Sequence, residues 1–171
     1  MPTIRAVPEQ AYRLLKKWEG LRLNAYYDTA GIPTIGFGKV ISWAKADRQQ
    51  VTRRRRPPVD KFPPITREQA EADLKLIVPR YALEVVGLFP IPLTDGMYAA
   101  LISFNYNCGA SALRHSTLRR MILRGDVIDA AEQFLRWKFD ASGGEPPGLI
   151  ARRRDEREVY LSDAHMFEAA A

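Results

Sequence analysis

The stretch from Trp18 to Gly38 constrains this chain more than any other. It changes period within a few residues. Upstream, Ala11, Leu14, Leu15 and Trp18 recur at helical spacing, so residues 8–18 read as an amphipathic helix. Gly20 supplies the left-handed conformation that ends such a helix. Arg22–Tyr27 and Ile32–Phe37 then read as two short strands around the turn Asp28-Thr29-Ala30-Gly31. A helix running straight into a hairpin brings particular side chains together. Glu19 stands at the helix C-terminus, Asp28 in the turn and Thr34 on the returning strand. Two carboxyls and a hydroxyl can therefore converge at one end of a hairpin. The negative end of the helix dipole disfavours a charged Glu19, which makes a neutral acid easier to hold there near neutral pH. A general acid needs that property.

Spacing alone leaves a plainer reading open: Glu19 as a solvated helix-end charge and Asp28 as a turn former. The surroundings favour chemistry. The order Glu19, eight residues, Asp28, five residues, Thr34 resembles the catalytic triad of the phage-type lysozymes, glycoside hydrolase family 24. Glu19-Gly20-Leu21-Arg22 and Pro33-Thr34-Ile35-Gly36-Phe37-Gly38 are similar to its flanking signature. The resemblance implies that Glu19 protonates the leaving oxygen of a glycosidic bond. It implies that Asp28, with Thr34, positions or activates water and stabilises charge developing on the sugar. Many relatives carry a shorter connection after this stretch and a His where this chain has Lys39, a departure that leaves the triad untouched.

Further along, residues 39–64 are rich in proline and charge, with Arg53-Arg54-Arg55-Arg56 followed by Pro57-Pro58, and read as an exposed loop. Val40–Ala46 is a candidate for a short strand or turn. Thr66 and Gln69 have capping-box spacing, which starts a helix through Ala70, Leu74 and Ile77. Pro79 should kink or break it, leaving a second piece over Arg80–Val86. Thr94–Asn107 is mostly apolar and reads as a central helix stopped by Gly109. Ser116-Thr117-Leu118 opens a short helix ending at Gly125. Asp126 is placed to cap the next, with Val127, Ala130, Ala131, Phe134 and Trp137 on one face. Gly143–Gly148 is a loop, and a last helix runs from about Leu149 to Leu161.

Two of these segments extend the resemblance. Ser103-Phe104-Asn105-Tyr106-Asn107-Cys108-Gly109 resembles the central-helix signature, which implies that Tyr106 and Asn107 face the sugar-binding cleft. A core-packed Tyr106 stands equally open. Gly148-Leu149-Ile150-Ala151-Arg152-Arg153 resembles a signature whose arginines lie near the catalytic Glu, so Arg152 or Arg153 is expected to support Glu19. The alternative is a solvated basic helix face.

Composition sets the remaining bounds. A chain of 171 residues suits one domain. Its formal charge of +6 and pI near 9.6 suggest an anionic partner, whether nucleic acid, membrane surface or bacterial wall. A single cysteine, Cys108, excludes an internal disulfide and reads as a structural thiol. His115 and His165 have no ligand-like spacing, so no metal and no cofactor are expected. Charges at Arg13, Lys16 and Lys17 interrupt any secretory signal near the start, and no stretch approaches a membrane span.

The expected fold is α+β, mostly helical and lysozyme-like. A single domain over 1–171 comprises an N-terminal catalytic lobe at about 8–65, a linking helix at about 66–86 and a helical lobe at about 90–162, with a cleft between the lobes. The resemblance implies an endolysin-type muramidase. It would act on peptidoglycan as a monomer, from the host cytoplasm and through a holin-type exit, with no nucleic acid involved. Three rivals stand beside it. A lytic transglycosylase would use Glu19 without Asp28 and Thr34. A silent wall-binding module would keep the fold without turnover. A nucleic-acid binder would use the arginine run, which no recognition motif accompanies. The same run is expected to aid attraction to anionic envelopes.

Overall fold

The structure is a computed structural model of the chain and describes residues 5–28, 31–41, 59–140 and 142–167. Thr29 and Ala30 of the expected turn, Arg53–Arg56 and most of the proline-rich loop lie outside the described residues. The chain divides into two compact units, Glu19–Leu76 and a second unit made of Met1–Trp18 with Ile77–Ala171.

The smaller unit is built on a three-stranded antiparallel sheet of β1 (Arg22–Tyr27), β2 (Pro33–Gly36) and β3 (Lys39–Val40), in that order. Tyr26 pairs with Thr34 and Tyr27 with Pro33, while an irregularity lies between Tyr26 and the Arg22–Gly36 pair. The returning strand stops at Gly36 rather than Phe37. Gly36 and Gly38 both adopt positive φ, at 67° and 82°, and this turns the chain at once into β3. Helix α2 (Arg67–Leu88) begins in this unit. Thr66 and Gln69 exchange the two bonds of a capping box, at 2.8 and 3.2 Å. The sheet is tied to that helix start at three points. The Ile65 amide donates to the Leu23 carbonyl, Lys39 pairs with Asp73 at 2.6 Å, and Gly36 packs so closely on Ala70 that an added Cβ would sit 3.3 Å from the alanine methyl.

The larger unit is helical. It takes α1 (Glu9–Glu19) up to Trp18, then α2 from Ile77, α3 (Asp95–Cys108), α4 (Ala110–His115), α5 (Thr117–Leu123), α6 (Val127–Ala130) and α7 (Pro147–Leu161). Helix α1 groups with the helical unit up to Trp18. Its Ala11, Leu14 and Leu15 are buried, and its end is tied to α7: the Trp18 indole donates to Asp155 at 2.9 Å, and Lys17 pairs with the same carboxylate at 2.5 Å.

Central helix α3 is buried from Gly96 through Asn105. Thr94 caps it through the Met97 amide, and Asp163 accepts from the Gly96 amide at 2.8 Å and from the Thr94 hydroxyl. Phe104 meets Phe134 and Trp137 edge-on, at 5.7 and 5.1 Å.

Two local details differ from expectation. Of the kink or break expected at Pro79, the break does not occur, and α2 runs on to Leu88. A proline inside a helix costs about 3 kcal/mol. Val78, Ala82 and Val85 are buried on either side of it, and Tyr98 and Asn105 of α3 donate to the carbonyls of Ala82 and Tyr81. That packing outweighs the local penalty. Asp126 makes no side-chain cap. Its ψ of 49° is not the extended backbone a cap requires, and the helix it opens tightens after one turn into a 3-10 segment over Ala131–Arg136. The apolar face survives this, with Val127, Ala130, Ala131 and Phe134 all buried. Among the described residues no helix is long and apolar enough to cross a membrane.

Candidate active site

Three side chains expected to carry chemistry belong to the smaller unit. Glu19 is the last residue of α1, half-buried, and Gly20 follows with φ 67°, so the backbone leaves the helix immediately beyond the carboxylate. Asp28 follows β1 directly. Its carboxylate accepts the Ile32 amide at 2.7 Å, and its own amide donates to the Ile32 carbonyl at 2.9 Å. The side chain thus closes the turn. Thr34 lies on β2 and is buried. Its hydroxyl donates to the Ile32 carbonyl at 3.0 Å.

These bonds decide what remains available. The Thr34 hydrogen is already committed, so its oxygen can face a ligand or water only as an acceptor. One Asp28 oxygen is held by the backbone, and the carboxylate keeps further lone pairs. Two acceptors therefore lie on one hairpin, Asp28 directly after β1 and Thr34 on β2.

Tyr26 lies within electrostatic reach of both acids, and sequence reasoning missed it. It pairs across the sheet with Thr34. Burial pushes its phenol above the ordinary tyrosine range, Arg22 opposes this, and the charges of Glu19 and Asp28 add to the rise. Both carboxylates therefore act on one phenol. The Arg22 guanidinium lies 4.3 Å from the Tyr26 ring. Strand alternation shows which residues share a face, but identifying Tyr26 required the register.

The remaining expected site residues belong to the helical unit. Tyr106 is half-buried with its ring 4.6 Å from that of Tyr81. Asn107 is exposed, and its side-chain oxygen accepts from Arg153. Arg152 and Arg153 are both buried, whereas Arg154 is exposed. Both can turn inward because Glu156 is buried between them. It accepts from Arg152 Nε at 3.1 Å, pairs with Arg153, and accepts from the Ser103 hydroxyl at 2.7 Å. Glu156 was also missed, although its offsets of three and four residues from the arginines are those of helical ion pairs. Cys108 sits beside this cluster with its thiol 3.7 Å from the Asn107 oxygen. Burial pushes the thiol pKa up, so it stays protonated and poorly nucleophilic. Among the described residues no three His, Cys, Asp or Glu side chains are placed to hold a metal ion.

Comparison with known proteins places the chain as a whole. The family model described as phage lysozyme matches residues 16–156. The endolysin of Salmonella phage P22 is 36% identical over 148 residues, which span 86% of this chain and 92% of that protein. The solved endolysin from Escherichia coli O157:H7 phage FAHEc1 superposes with a TM-score of 0.76 at 31% identity, covering 93% of this chain and 95% of that one. The muramidase domain of SpmX from Asticaccaulis excentricus also gives 0.76, at 27% identity over 92% of this chain and 99% of that one.

Proposed function

This chain belongs to the phage lysozyme family, and from that membership we propose that it is an endolysin-type muramidase that hydrolyses the β-1,4 bond between N-acetylmuramic acid and N-acetylglucosamine in bacterial peptidoglycan. Glu19 is the general acid that protonates the leaving oxygen. Asp28 and Thr34 hold the attacking water, Asp28 also drawing its proton and stabilising positive charge on the sugar. The observation that carries this assignment is the Asp28–Ile32–Thr34 hydrogen-bond set, which leaves two acceptors on one hairpin in a chain where Glu19 ends the preceding helix. Tyr106 and Asn107 contact the glycan, and an arginine of the Arg152–Arg153 pair supports Glu19. These roles rest on the family motifs.

Digestion of purified peptidoglycan followed by mass spectrometry tests the reading. Hydrolysis gives reducing muramic ends. Anhydro ends would indicate a transglycosylase instead, and absence of products would indicate a wall-binding module. The same proposal includes a monomer that reaches the wall through a holin-type exit. It also includes attraction of the Arg53–Arg56 run to anionic envelopes, as the formal charge of +6 suggests. Replacing the four arginines with Gln should slow clearance of whole walls and reduce its salt sensitivity, while cleavage of small soluble oligomers stays unchanged.

A further inference from the structure

The helical unit holds a buried carboxylate that this chemistry leaves unused. Glu156 is fully buried on α7. Taking such a charge out of water costs several kcal/mol unless it is paired. Arg152, Arg153 and Ser103 supply that pairing. For stability alone, apolar side chains of similar volume do as well or better. The cluster differs from a plain core device in where Arg153 leads. Its second terminal nitrogen donates to the side-chain oxygen of Asn107, which is exposed.

A guanidinium offers only donors. The amide of Asn107 must therefore turn its oxygen inward to Arg153. The Cys108 thiol, 3.7 Å from the same oxygen, adds a second, weak donor. The amide nitrogen finds no acceptor among the described residues, and on an exposed residue its hydrogens are left for solvent or a ligand. An unrestrained Asn offers either end of its amide by a simple flip, whereas this one offers only N–H groups.

We propose that Glu156 is a positioning residue: by holding Arg153 it locks the Asn107 amide with its NH2 outward, so that position 107 reads acyl oxygens of the wall polymer. A ligand carbonyl gains a hydrogen bond there, and a ligand donor gains none. Two parts of peptidoglycan carry such oxygens, the N-acetyl groups of the sugars and the carbonyls of the peptide stems. The inference rests on the muramidase reading for its substrate.

The test uses the full chain carrying Glu19→Gln to stop cleavage. Calorimetry measures binding of glycan oligomers prepared from peptidoglycan, with and without peptide stems. Asn107→Asp keeps size and the Arg153 pair but faces the acyl oxygen with a carboxylate oxygen. Asn107→Ala removes both groups. Asn107→Asp should weaken binding about tenfold, and by more than Asn107→Ala does, since an unsatisfied charged acceptor costs more than a missing one. Loss on both oligomers assigns the sugar N-acetyl, and loss confined to stem-bearing oligomers assigns the peptide carbonyl. Equal binding by Asn107→Asp and the unsubstituted residue overturns the proposal, as does failure of the oligomers to bind at all.

Glu156→Gln should weaken binding several-fold when Asn107 is present and not at all in the Asn107→Ala background. Additive effects would make Glu156 a scaffold only. If Glu156→Gln does not fold by thermal melt, Glu156→Asp, which keeps the charge but shortens its reach to Arg153, takes its place in the same cycle. Cleavage of the same oligomers by the protein with Glu19 intact is followed in parallel. No cleavage with the polarity effect present defeats the hydrolase reading and leaves this inference standing; cleavage without the polarity effect does the reverse.

Discussion

The carboxylate of Asp28 accepts the backbone amide of Ile32 at 2.7 Å, so the residue proposed to hold the attacking water also closes the turn that carries it. The two duties separate by substitution. Asparagine keeps an oxygen for the Ile32 amide but cannot take a proton. Asp28→Asn should melt within about a degree of the unsubstituted protein while losing at least about 100-fold in turnover. Asp28→Ala should lose the same activity and also about 1 kcal/mol of stability, the net worth of one hydrogen bond. Thermal melts alongside rates of peptidoglycan cleavage check both. Full activity in a folded Asp28→Ala protein would reduce Asp28 to a turn former.

Glu19→Gln should remove essentially all hydrolysis, a fall of about 100- to 10,000-fold, with the fold retained. The amide keeps the shape of the side chain where α1 ends and Gly20 turns away, but it delivers no proton. Product analysis of digested peptidoglycan measures the loss. Near-normal lysis by well-folded Glu19→Gln protein would sink the assignment.

How much of this was legible in the residues depends on how local each signal is. The Thr66–Gln69 capping box, the Gly20 stop after α1 and the Asp28 turn are written within a few neighbouring positions, and each formed. Pro79 shows the opposite case. Its local penalty was clear, but the burial of Val78, Ala82 and Val85 that overrides it depends on tertiary packing. The tie between the end of α1 and α7 runs to Asp155, 137 residues from Trp18, a separation no periodicity reveals. Glu156 was hidden for a different reason. Its place among the charges of α7 does not set it apart from a solvated residue, and its burial against Ser103 of α3 depends on tertiary packing. Among the candidate site residues, Asp28 and Thr34 were visible because one hairpin carries both. Tyr26 was not, because its link to Thr34 depends on sheet register.

Gly96→Ala should destabilise the protein by about 1–3 kcal/mol through overpacking, a large effect for one methyl group. A Cβ there would lie 2.4 Å from the Val159 carbonyl and 2.6 Å from Asp163 Oδ1 and Ser162 Oγ. Relief requires moving Asp163 off the first turn of α3, which also breaks its bond to the Gly96 amide. Denaturant titration reads the change. Since the site's acids lie in the other unit, catalysis per folded molecule should change little. A neutral result would mean that the α7 C-terminus yields without cost.

Tyr160 offers the pH test. Its ring is fully buried against Phe134, and its hydroxyl has no hydrogen-bond partner among the described residues. Burial pushes its pKa well above the ordinary tyrosine value. The sign of the consequence follows from proton binding. Above the unfolded pKa of about 10, the unfolded chain releases the phenolic proton while the folded protein keeps it, so stability falls as pH rises. Below that pH the group contributes no slope. Tyr160→Phe removes both the titration and the unpartnered hydroxyl. It should raise stability at neutral pH by up to about 1 kcal/mol, the direction expected when an unsatisfied buried polar group is deleted. It should also flatten, without abolishing, the alkaline loss, because burial raises Tyr26 and Tyr98 in the same direction. Denaturation midpoints at pH 7 and in steps above pH 10 measure both effects. A Phe variant that is less stable at pH 7 and keeps the full alkaline slope would show that the Tyr160 hydroxyl is partnered in solution and that other groups set the alkaline limit.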